Sequence, residues 1–275
     1  MTSRFPDRNQ TLKAAYLLLG LAALGLVVAQ LPEFPEMPLV GSRTCITGGW
    51  KYLLILSHLL NFILIPVAMK VFFEGLRSFG IPLKHIFFTQ LGFSLILVGL
   101  TAEIGLHVIQ CWYYENAFSV LNFLFYFFLL AGFIFWAEGL VQQNTPLTPW
   151  SQSLFALGLA IVTLVYYLGD QFANNSFKIP IYLVLMIIFV VLTYRGYRLL
   201  QDRKMFLVPL FTVGVNLGFI FLLNQYGGNP YTNPQVIFNT LFHIGHDLAG
   251  TQAGLAIFTW LVYAKHQKIK TIQTL

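Results

Sequence analysis

The sequence predicts an all-α fold, a polytopic transmembrane helix bundle. Of the 275 residues, 57% are hydrophobic and only 9% charged, and mean hydropathy is +0.72; a globular chain carries roughly 25% charged residues. Apolar runs recur near the ~20 residues that a helix needs to cross a bilayer. Cations gather in alternate connections, as the positive-inside rule requires of a multi-pass protein. Such a chain builds its core by packing helices in lipid, where each segment must satisfy its own backbone hydrogen bonds.

The runs, in order, cover residues 12–31, 50–73, 86–112, 117–140, 150–168, 179–197, 205–224 and 234–264, about eight spans. The first follows Arg4, Arg8 and Lys13. It reads as a retained helix rather than a signal sequence, being long for a signal core and lacking a clear cleavage site. With eight spans, these three cations join Arg77, Lys84, Arg195, Arg198, Arg203, Lys204, Lys265, Lys268 and Lys270 on one side, which is then cytoplasmic, with both termini. The sequence pI of about 9.3 therefore reports topology and needs no nucleic acid to explain it. No soluble domain and no fixed-period repeat interrupts the chain, so residues 1–275 read as a single integral membrane domain.

Smaller features follow from this frame. The 27 Phe suit lipid-facing and interfacial surfaces. Cys45 and Cys111 both fall on the outer side, where a disulfide can persist. Lys70, Glu74 and Glu138 lie near the cytoplasmic interface, within reach of water by snorkelling. His85 and His266, at cytoplasmic helix ends, read as ordinary interfacial residues.

Six ionisable residues lie where lipid should exclude them: His58, Glu103, His107, His243, His246 and Asp247. A charged side chain at bilayer depth costs at least ~2.5–3.5 kcal/mol, so such groups mark function by default. Counting a rise of ~1.5 Å per residue from the outer helix ends, all six fall between the outer interface and the midplane. Glu103 and His107 are four residues apart and share a helix face, as do His243, His246 and Asp247. Asn61, Asn122, Asn216, Asn239, Thr240, Thr251 and Gln252 add polar groups on or near these stripes.

These residue types hold metals or move protons. A divalent metal takes three or four N, O or S ligands at ~2.0–2.2 Å. The expected set is His107, His243, Asp247 and His58 as zinc ligands, with Glu103 and His246 as catalytic groups toward a metal-bound water. The leading expectation is thus a zinc-dependent membrane hydrolase acting on a lipid amide or ester, with membrane lipids and a lipid-like substrate as partners. Two other classes stay open: a redox protein with a b-type haem between two of the histidines, and a proton-coupled transporter using the cluster as a relay. The lysine nearest the last span is Lys265, too far out for a buried retinal Schiff base.

Glu103-x-x-x-His107 and His243-Ile-Gly-His246-Asp247, with four spans between them, resemble the paired motifs of the membrane hydrolase superfamily of alkaline ceramidases and progestin and adipoQ receptors. That resemblance implies a seven-helix core preceded by an extra N-terminal helix. It implies His107 and His243 as zinc ligands, with Asp247 at the place of the family's last histidine. Glu103 stands where the family has a serine.

Overall fold

The computed structural model describes residues 48–109, 116–141, 149–172, 179–226 and 236–273. The expected 12–31 span, Cys45 and Cys111 lie outside these residues. The described residues fold into helices without strands and form seven rods. The first rod joins α1 (Gly48–Leu59) to α2 (Asn61–Ser78) through Leu60, which keeps right-handed helical dihedrals. The next four are α3 (Leu83–Ile109), α4 (Asn116–Gly139), α5 (Pro149–Phe172) and α6 (Ile179–Leu200).

The last two rods are composite. The sixth starts with a 3₁₀ turn, Arg203–Phe206, passes through Leu207–Pro209 and a π-helical segment, Leu210–Val215, and ends in α7 (Asn216–Tyr226). The seventh is α8 (Val236–Gly245), a π segment His246–Gln252, and α9 (Ala253–Gln273). Among the described residues three helices are long and apolar enough to cross a membrane, Tyr52–Ser78, Leu83–Gly105 and Pro180–Leu200. The protein is an integral multi-pass membrane protein.

Consecutive rods pack in sequence, and the first also packs on the seventh, closing the ring. The tightest pair is α3 with α4, where Gly92 and Gly132 face each other so closely that a Cβ on either would meet the other's carbonyl oxygen. Small residues at such a crossing let backbones approach, because lipid supplies no hydrophobic drive for helix association.

The aromatic residues do more than face lipid. Phe72, Phe93 and Phe258 are fully buried and Trp136 nearly so. Their rings meet at centroid distances of 4.6–5.5 Å across rods one, two, three and seven. Most of these contacts are edge-to-face or tilted, the geometry that aligns positive ring edges with negative faces. This cluster fills the bundle between the polar residues described below and the basic end.

That basic end gathers its cations from several rods. Lys265 Nζ donates to the Leu199 carbonyl at 2.6 Å, and His266 Nδ1 pairs with Ser78 Oγ at 2.9 Å. Arg195 Nη1 donates to Glu138 Oε1 at 2.6 Å and to the Ala137 carbonyl at 2.7 Å. Glu138, expected to snorkel, is 1% exposed. Arg195 reaches it from α6 and stabilises its charge inside the bundle. His85 is buried too, its Nδ1–H donating to the Glu138 carbonyl.

Candidate functional site

The first, second and seventh rods meet at a polar junction. Each rod supplies its group from a helix whose other faces are apolar, so ring closure brings these stripes together. His58 is its centre. The side chain is 1% exposed, and Nε2 lies 3.4 Å from Glu103 Oε1 on α3 and 3.3 Å from Asp247 Oδ2 on the seventh rod. His243 Nε2 closes the group from the other side, 3.9 Å from Glu103 Oε1 and 3.8 Å from Asp247 Oδ2. The two imidazoles stand edge to face with centroids 5.4 Å apart. Ligand atoms of His58, His243 and Asp247 all lie within 4.8 Å of one another.

A second layer orients these groups. His58 Nδ1 lies 2.8 Å from the Leu54 carbonyl, which can only accept, so Nδ1 carries the proton of that bond. Ser57 Oγ donates to the same carbonyl at 2.7 Å and lies 3.5 Å from Asp247 Oδ2. His246 Nδ1 stands 3.2 Å from the other Asp247 oxygen, Oδ1. Gln252 Nε2 donates to the Ser57 carbonyl at 2.7 Å, tying the seventh rod to the first. Exposure grows across the junction, from His58 through the carboxylates to His243 and His246, whose side chains are 25% and 28% exposed.

Asp247 lies in the π segment of the seventh rod, which packs on the π segment of the sixth. Where they meet, Asn216 Nδ2 donates to the Thr212 carbonyl and to Thr251 Oγ1. A Cβ on Gly250 would fall on Asn216 Oδ1, so glycine is what lets this amide fit. Short π insertions in helices occur frequently at functional sites.

The structure thus brings together His58, Glu103, His243, His246 and Asp247. The backbone of His107 lies in α3, one turn from Glu103 toward its C-terminus, and its side chain is outside the description. The same holds for the side chains of Asn122, Asn239 and Thr240. Sequence reasoning ranked His58 behind the motif residues, whereas it is the most buried member and touches both carboxylates. It passed over Ser57, since a helical serine ordinarily bonds its own backbone. It also passed over Tyr126 and Tyr182, whose hydroxyls pair at 3.1 Å between α4 and α6.

A family model described as a seven transmembrane receptor (7TM_cyano) matches residues 50–268. No curated protein and no solved structure matches the chain. The match overturns the resemblance to the alkaline ceramidase and progestin and adipoQ receptor superfamily, and with it the zinc hydrolase acting on a lipid amide or ester. The motifs already diverge where that chemistry is most exacting, with Glu103 in place of the serine and Asp247 in place of a histidine. The haem and transporter expectations fall to the same match. Both carboxylates also stand within 3.4 Å of His58 Nε2, in the space that a porphyrin on that nitrogen would need. The matched residues coincide with the seven rods, and the chain belongs to the seven transmembrane receptor family.

Proposed function

We propose that this protein is a membrane receptor whose ligand-responsive element is the junction of His58, Glu103, His243 and Asp247. One observation carries the reading beyond the family match: Asp247 belongs both to the junction and to the π segment that leads toward the basic end. A π segment holds one residue more than an α-helix of the same hydrogen-bonded span. Conversion of His246–Gln252 to α geometry shifts the register by one residue, a rise of ~1.5 Å and a turn of roughly 100°. Such a change turns Asp247 and Gln252 relative to α9. A ligand that holds Asp247 differently in the two registers shifts their populations by its difference in affinity.

In this reading the basic end is cytoplasmic and contacts the signalling partner. Residues 12–31 form an eighth span ahead of the seven-rod core, placing both termini on that side. The partners in the bilayer are membrane lipids, which contact the apolar faces of the rods.

The test places spin labels at Arg198→Cys and Lys268→Cys, both exposed near the basic end, in full-length protein with Cys45 and Cys111 replaced by serine. Asp247→Asn, which removes the charge that the junction shares, is expected to shift the interlabel distance by about 1–2 Å or more, the scale of helix shifts in switching proteins. Superimposable distance distributions for the two proteins in nanodiscs would sink the receptor reading.

A further inference from the structure

We infer that the junction binds one divalent transition-metal ion of the zinc type, held by His58 Nε2, His243 Nε2, Asp247 Oδ2 and Glu103 Oε1. The inference deepens the receptor reading by naming the class of its ligand.

Geometry comes first. Four ligands at ~2.1 Å around a tetrahedral ion lie about 3.4 Å from one another. The four nitrogen-to-oxygen separations in the junction are 3.3, 3.4, 3.8 and 3.9 Å. The ligand atoms of His58, His243 and Asp247 lie within 4.8 Å of one another, so closing to coordination distances needs side-chain movements of about an ångström.

The tautomer of His58 points the same way. Its Nδ1–H donates to the Leu54 carbonyl, the outer-layer bond that metal-bound histidines almost always make. That leaves Nε2 aimed between two carboxylate oxygens. Two anions at that nitrogen stabilise any cation placed there, whether a proton on the ring or a metal ion that displaces it. His246 and Ser57, both against Asp247, supply matching outer contacts for the carboxylate.

Charge is the third argument. Two neutral imidazoles, two carboxylates and one divalent cation sum to zero. Buried charges in a low-dielectric interior are tolerated when they are paired or coordinate a metal. A mixed set of two nitrogens and two carboxylate oxygens suits zinc and its first-row neighbours, with the harder calcium and magnesium preferring all-oxygen shells.

The test uses full-length protein in nanodiscs, stripped with chelator and then titrated with Zn²⁺ by calorimetry and with Co²⁺ by visible spectroscopy. The expected result is one saturable site per chain, with the absorption bands of a tetrahedral N/O cobalt complex. His243→Ala and Asp247→Asn are each expected to weaken binding at least about 100-fold. His246→Ala, which touches the ion only through Asp247, is expected to weaken it about 10-fold, in the range for outer-layer partners. Absence of a saturable site in the wild type overturns the inference, as does a site that both His243→Ala and Asp247→Asn leave intact. Should those variants fail to fold, zinc-edge X-ray absorption of the wild type decides. Two imidazoles and two carboxylate oxygens are expected, and any shell without imidazole overturns the assignment. The spin-label distances separate the two readings. A label shift in Asp247→Asn without metal binding leaves a receptor for another ligand, whereas metal binding without a label shift leaves a metal-stabilised bundle that does not switch.

Discussion

Arg195→Met is expected to cost about 3–5 kcal/mol of stability, the penalty for removing one member of a buried ion pair. The partner it leaves behind is Glu138, 1% exposed and inside the ring of rods. The 2.6 Å bond from Arg195 Nη1 to Glu138 Oε1 is the short, charge-assisted kind. Reversing the roles predicts an asymmetry. Glu138→Gln leaves an arginine whose side chain is 16% exposed, against 1% for Glu138, and which still donates to the Ala137 carbonyl. Its cost should fall below that of Arg195→Met. The double replacement Arg195→Met with Glu138→Leu should recover most of the loss, because replacing both charges by apolar groups of similar volume is often neutral. Thermal unfolding of the four proteins in the same detergent gives the comparison. Equal costs for the two single variants, or a double variant no better than Arg195→Met, would show that the pair does not carry the stability assigned to it.

How much of this was legible in the sequence depends on the range of the physics involved. Composition and run length are local, and they identify the membrane class and the spans that became α3, α4, α5 and α6 to within a few residues at most described ends. Arg77, Lys84, Arg195, Arg203 and Lys265, which the cation pattern assigns to one side, fall at the basic end of the bundle. Helical periodicity places Glu103 on one face of its helix and His243 with Asp247 on one face of another. It does not say which faces meet, because that is set by ring closure of the first rod on the seventh. Hence His58, on a rod with no second histidine, reads as peripheral from the sequence alone. The motif residues Glu103 and His107, joined by spacing alone, drew the reading toward a three-histidine hydrolase. Pairing between remote positions was equally hidden. Glu138 and Arg195 are 57 residues apart; taken alone, Glu138 reads as a snorkelling interfacial residue and Arg195 as a cation of a cytoplasmic connection. The π segments leave no mark in hydropathy either, since one inserted residue in an apolar run changes neither its length class nor its composition. Glycine spacing carries a legible signal of the α3–α4 crossing. Gly92 and Gly99 are seven residues apart on α3, Gly132 and Gly139 seven apart on α4, and a Cβ at any of the four would press on the facing helix.

Gly132→Val tests that interface and is expected to cost about 2–3 kcal/mol, in the upper part of the usual range for overpacking. A Cβ at Gly132 would stand 2.7 Å from the Gly92 carbonyl oxygen and 2.9 Å from the Ile96 nitrogen. Both atoms are backbone, so no side chain can swing away to relieve the contact, and α3 and α4 must separate. Separation is costly here because helices in lipid associate through close van der Waals contact. It also reaches the polar junction, since Glu103 lies farther along α3 on a rod that α4 supports. Zn²⁺ affinity and stability should therefore fall together in this variant, whereas His243→Ala should lower affinity with less effect on the stability of the metal-free protein. Gly218→Ala is the control for the intrinsic effect of removing a helical glycine. A Cβ there meets nothing within 4 Å, so helix propensity alone acts and a gain of about 0.5–1 kcal/mol is expected. If Gly132→Val and Gly218→Ala both leave unfolding in nanodiscs within 0.5 kcal/mol, roughly the spread of neutral substitutions, the close α3–α4 crossing is not what holds these rods together.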